Sequence, residues 1–177
     1  GVCDAFRPLG VPCRPDDQVK QGSAPPAAIA RDLRRLARLR EREWSSPQAR
    51  ASINALIERV LRRVPPNQAP GFRADLYVDL GRNYLLRSRY DDEPPIGEAA
   101  ACYWAAIAIY GREGLRQEQA EAQVALAQAL VEFPGPDPVA GLKEAISLLG
   151  DVLMACSLEA APREWAGAHR CLAQAHR

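Results

Sequence analysis

One stretch of this chain occurs three times at a fixed interval, and any fold it adopts has to accommodate that interval. Residues 73–86 read RADLYVDLGRNYLL, residues 119–132 read QAEAQVALAQALVE, and residues 165–177 read WAGAHRCLAQAHR. Aligning Leu80, Leu126 and Leu172 gives two equal steps of 46 residues. Ala74, Ala120 and Ala166 then fall into register, as do the small residues Gly81, Ala127 and Ala173. The intervening segments keep the same offset, matching Ile96 with Leu142, Ala99 with Ala145, Tyr103 with Leu149 and Ile107 with Leu153. A register held along a whole unit without a gap is the mark of a repeat architecture, in which each unit buries its apolar face only against its neighbours.

Helix punctuation surrounds the repeats. Ile29, Leu33, Leu36 and Ala37 form an apolar stripe at helical spacing between Ala27 and about Glu43, with arginines on the remaining positions. Ser46 followed by Pro47 is an N-cap followed by a first-turn proline, and predicts a second helix to about Arg63, ended by Pro65 and Pro66. Helices are then expected over about 71–88, from Pro94–Pro95 to Gly111 and Gly114, over 115–133, from Pro138 behind an Asp137 cap to about Cys156, and from Pro162 onward. No segment alternates with period two, so no strand is expected. Residues 1–26 carry five prolines and no apolar period, and read as an irregular arm. The expected organisation is thus an arm over 1–26, a basic capping helix pair over 27–66, and repeats over 67–177, divided as 70–114, 115–160 and a final helix over 162–177.

The recurring positions resemble the tetratricopeptide repeat (TPR), which sets a large residue, Leu-Gly and Tyr in its first helix, then Ala, an aromatic and Ala in its second. The first unit supplies Tyr77, Leu80-Gly81 and Tyr84, then Ala99, Tyr103 and Ala106; the second supplies Gln123, Leu126-Ala127 and Leu130, then Ala145, Leu149 and Val152. The third half-unit supplies His169, Leu172-Ala173 and His176. The unit is longer than the standard repeat of about 34 residues. Trp165-Ala166 followed by Leu172-Ala173 is similar to a long-repeat bacterial variety often found beside CHAT-type protease domains. The resemblance implies an all-α, right-handed α-solenoid of antiparallel helix pairs that works as a non-catalytic protein–protein interaction scaffold or accessory subunit. It also implies a concave face lined by Asp75, Val78 and Arg82, then Glu121, Val124 and Gln128, and finally Gly167, Arg170 and Gln174. The implied ligand is a protein or peptide segment, with no cofactor, metal or small-molecule substrate.

Other chemistries find little support. The two histidines, His169 and His176, occupy large-residue positions of the repeat and are expected to pack against the preceding helix pair rather than bind metal. Cys171 is poorly placed on a helix to pair with either of them as a nucleophile. The five cysteines match no zinc spacing; Cys3 and Cys13 in the arm could pair in an oxidising compartment. Asp91, Asp92 and Glu93 read as a solvated loop with a helix cap, and the Gly111–Gly114 stretch lacks the Lys-Ser of a phosphate loop. No apolar run approaches the roughly 20 residues needed to span a bilayer. With no signal segment evident, a cytoplasmic location is expected, a processed secreted or periplasmic one remaining open.

Charge is unevenly spread. The chain carries a net +1, yet residues 28–63 hold ten arginines against four acids while residues 64–177 hold ten basic residues against fifteen acids. The arginine-rich helix at 27–43 is read first as a solvated face with i,i+4 pairs or a docking face for the acidic repeats. Two alternatives for the whole chain are a regulatory fragment of a larger enzyme, such as a CHAT-type protease, and a binder of nucleic acid or anionic surfaces through that helix.

Overall fold

The computed structural model describes residues 27–42, 47–88, 96–133, 135–155 and 162–175. Among these the fold is all-α, with seven helices and no strand: α1 (Ala27–Arg42), α2 (Pro47–Arg63), α3 (Pro70–Ser88), α4 (Ile96–Glu113), α5 (Arg116–Glu132), α6 (Pro138–Ala155) and α7 (Pro162–Ala175). These spans fall within a residue or two of those expected wherever both ends are described. The expectations for residues 1–26, the Ser46 cap, the Asp91–Glu93 loop, Cys156 and His176 lie outside the described residues.

The chain forms two compact units, and the division falls inside α3, between Leu76 and Tyr77, later than the expected boundary after residue 66. In the first unit α1 packs on α2. Ile29, Leu33 and Leu36 from α1 are buried, as are Ile53, Leu56, Ile57 and Val60 from α2 and Phe72, Ala74 and Leu76 from the start of α3. Burying each large aliphatic or aromatic side chain contributes about 1.5–3 kcal/mol. A buried arginine closes the turn between α2 and α3. Arg73 Nη1 donates to the carbonyls of Leu61 at 2.7 Å and Val64 at 2.6 Å, satisfying acceptors that the end of α2 leaves open. Ala69 sits in the left-handed region at φ 49° just before Pro70 opens α3, and its carbonyl accepts from the Arg73 N–H at 3.1 Å.

In the second unit each successive helix packs on the next from α4 to α7, and α5 also meets α7. The approach of α3 to α4 depends on Gly81. A Cβ there would lie 3.0 Å from Tyr103 Cε2 and 3.2 Å from the Ala99 carbonyl oxygen, so only glycine fits without displacement. Helix α4 ends in a Schellman turn, with Gly114 at φ 72°, Leu115 N–H donating to Tyr110 O at 2.9 Å and Gly114 N–H to Gly111 O at 3.3 Å. The expected Asp137 cap is present, its Oδ1 accepting from the Ala140 N–H at 3.0 Å. Trp104 Nε1 donates to Glu144 at 3.2 Å, tying α4 to α6.

Burial follows the sequence register through the first two units. Ala74 and Ala120, Leu80 and Leu126, Ala99 and Ala145, and Tyr103 and Leu149 are all buried pairwise, and so are Gly81 and Ala127. Helix α7 departs from this. Ala166 and Ala173 are exposed, and Gly167, Ala168 and Cys171 are buried instead. The reason is packing on one side only: α7 sets Gly167 against α5, and no described helix covers Ala166 and Ala173 as α4 covers Gly81.

Candidate functional site

Helical periodicity places Arg82, Leu85 and Leu86 on one side of α3, and Ala125, Gln128, Ala129 and Glu132 on one side of α5. These two rows, with Phe133 beyond the end of α5 and Tyr103 from α4, line a cavity of about 310 Å³. That is near the lower limit for sites that enclose a ligand, and large enough for one or two side chains of a bound segment. Its chemistry is divided. Leu85, Leu86, Ala125, Ala129 and Phe133 give an apolar wall, whereas Arg82, Gln128 and Glu132 supply a cation, an amide and an anion.

Tyr103 is almost wholly buried, and loss of solvation raises its phenol from 10.0 to about 12. The Arg82 guanidinium opposes that shift and the Asp79 carboxylate adds to it, so both charges act close to the phenol. Tyr103 is therefore a neutral phenol throughout the physiological range. Arg82 is exposed, and among the described residues it makes no hydrogen bond or ion pair. Glu132 differs in making an interaction of its own.

Of the residues implied as a binding face, the cavity brings together Arg82 and Gln128. Val124 is placed otherwise: its Cγ1 would lie 3.3 Å from a Cβ at Gly167, so it packs against α7. Asp75 and Val78 are half-buried, Glu121 is exposed, and Asp75 and Glu121 each make contacts of their own. Arg170 and Gln174 are exposed on α7 and do not line the cavity. Tyr103 and Phe133, which do line it, were not marked by the resemblance as binding positions. Their only sequence signal is the aromatic position of the second helix and the proline that follows Phe133.

Two side chains weighed for chemistry are also placed. His169 is exposed rather than packed under the preceding helices, and its ring lies 4.1 Å from that of Trp165 on the same helix, inclined by 57°. The expected core packing fails because the face carrying His169 turns away from α5. Cys171 is buried, and desolvation raises its thiol above the ordinary 9.0, with Glu132 adding to the rise and Arg170 opposing it. It is a thiol, not a thiolate, at neutral pH. Among the described residues no three His, Cys, Asp or Glu side chains converge as a metal site would require, and no helix is long and apolar enough to cross a membrane.

Compared with known proteins, the chain matches no family model, no curated protein and no solved structure. The cavity and its neighbours therefore carry the functional reading.

Proposed function

We propose that this chain is a non-catalytic protein–protein interaction module, a TPR-like right-handed solenoid serving as scaffold or accessory subunit. In this reading the cavity between α3 and α5 receives a side chain of a partner segment. One observation carries it: two helices separated by one repeat interval converge on a hollow with an apolar wall, whose rim holds the guanidinium of Arg82, which among the described residues makes no hydrogen bond or ion pair. An apolar wall with one cation and one amide suits a short stretch that offers a bulky apolar side chain beside a carboxylate. The wall supplies the affinity, and the charge-assisted hydrogen bond from Arg82 sets the orientation. Helix–helix packing through Gly81 supports the stacked arrangement, because that small residue recurs as Ala127 at the same repeat position.

Selection of peptides from a displayed random library on the full chain tests this reading. The selected peptides should combine an aromatic or large aliphatic residue with a nearby Asp or Glu. They should lose at least about tenfold in affinity for an Arg82→Glu, Gln128→Trp variant whose helicity is unchanged, a difference of about 1.4 kcal/mol. Equal binding to both proteins would rule the cavity out as the working surface.

A further inference from the structure

A second surface, separate from the cavity, lies on α1. Four apolar residues of this helix are committed to the core, with Ile29, Leu33, Leu36 and Ala37 at 3%, 1%, 0% and 7% exposure, while Ala30 and Leu39 are half-buried. The opposite side carries Arg31, Arg34, Arg35 and Arg38, every one exposed. At 3.6 residues per turn these four fall within an arc of about 100° and run about 10 Å along the axis. They form a single stripe at spacing i, i+3, i+4 and i+7.

One carboxylate of α1, that of Asp32, points away from the stripe. Asp32 is buried and engaged by α2, with Arg63 Nη1 at 3.0 Å and Arg59 Nη1 at 3.5 Å. The expected i,i+4 pairing along α1 is thus not what Asp32 does. Among the described residues, none of the four stripe arginines makes an ion pair; Arg38 Nε alone donates, to the Arg34 carbonyl at 3.4 Å. Four guanidinium groups at neighbouring helical positions repel one another, a cost offset when an anion is shared among them.

The chemistry of the missing anion can be narrowed. A bilayer surface would require a row of apolar side chains free to insert, and the large ones of α1 are buried (Ile29, Leu33, Leu36) or half-buried (Leu39). Stacking of nucleic-acid bases would draw on aromatic side chains, and α1 has none. The chain as a whole, at net +1 and pI about 7.8, lacks the broad positive field typical of nucleic-acid binders. A second helix laid alongside α1 shares its rise per residue. Carboxylates at i, i+3 or i+4, and i+7 therefore meet the arginines along the full length of the stripe, each pair able to form the forked, two-bond contact. We propose that the outer stripe of α1 docks an acidic helix of a partner protein.

The test uses the full chain and a labelled alanine-based helical peptide with glutamates on one stripe at that spacing. The comparison probes are a scrambled peptide of equal composition, a short DNA duplex and phosphatidylserine vesicles. The striped peptide should bind at low salt, weaken as salt rises, and bind at least about tenfold better than the scrambled one. Replacing Arg31, Arg34, Arg35 and Arg38 by Glu should abolish that binding and create binding to a peptide with arginines on the stripe. That gain shows the variant is folded. Equal binding of striped and scrambled peptides, or tighter binding of the duplex or the vesicles, overturns the proposal. So does salt-sensitive self-association of the chain that the charge reversal removes, which would make the occupant a second copy.

Discussion

At Gly81 two effects of a single methyl group oppose each other. Alanine is favoured over glycine inside a helix by about 1 kcal/mol, through backbone entropy alone. Against that, the new Cβ would meet the buried Tyr103 ring at 3.0 Å and a backbone oxygen at 3.2 Å, neither able to move without disturbing α4. Overpacking of this kind costs about 1–3 kcal/mol, so Gly81→Ala should lower stability by a net of up to about 2 kcal/mol. Gly150 provides the control. It lies inside α6 with nothing within 4 Å of its added Cβ, so Gly150→Ala should raise stability by about 0.5–1 kcal/mol. Chemical denaturation of the two variants beside the parent gives both signs. If Gly81→Ala is stabilising, the close approach of α3 and α4 is wrong. The small residue at this position was legible in the sequence, because it recurs in register. The partner that imposes it was not, since nothing in a one-dimensional pattern says that Tyr103 and Ala99 lie across from it.

At the scale of helices, the ends were the most readable feature, because they are set by local chemistry. Asp137 before Pro138, Gly114 after α4 and the prolines after α2 each act within a few residues of themselves, and the structure uses them as local rules require. Asp137→Ala should therefore cost about 1 kcal/mol and increase amide exchange in the first turn of α6, while Asp137→Asn should cost little. Exchange that rises equally throughout α6 would show that the cap is not what holds that end. Contacts between helices were much less legible. Nothing in RADLYVDL marks Arg73 as special, yet it is buried and serves as an end-clasp for α2 through two carbonyls, about ten residues back along the chain. Asp32 reads as part of an i,i+4 pattern along α1, and instead reaches α2. Val124 reads as a groove residue and lies against Gly167. All three side chains find their partners on another element, and periodicity carries no information about which element that will be.

For the molecule as a whole, folding is linked to pH through Tyr103. Its phenol rises from 10.0 to about 12 on burial, so the folded protein keeps a proton that the unfolded chain has already lost. The sign follows directly: the contribution is fully present below about pH 10 and is lost as pH rises through 12, at up to about 1.4 kcal/mol per pH unit. Thermal unfolding followed from pH 9 upward should show this decline, and Tyr103→Phe should flatten it. Arg82→Ala should push the phenol higher still by removing the charge that opposes the shift, which ultraviolet titration of the tyrosines would detect. An alkaline profile unchanged in Tyr103→Phe would mean that another group governs it. At this scale the sequence showed the helical class and the repeat interval, but the cavity depends on how α3, α4 and α5 meet, and only two of its nine lining residues came from the resemblance. Helix α7 shows what this means for inheritance. Ala120 and Ala127 are held by neighbours on all sides, and a larger side chain there would be selected against through folding alone. Ala166 and Ala173 stand at the same places in the repeat but face outward. Nothing in the described core prevents those two positions from drifting, so descendants of this chain could lose the third copy of its motif from their sequences while keeping the fold intact.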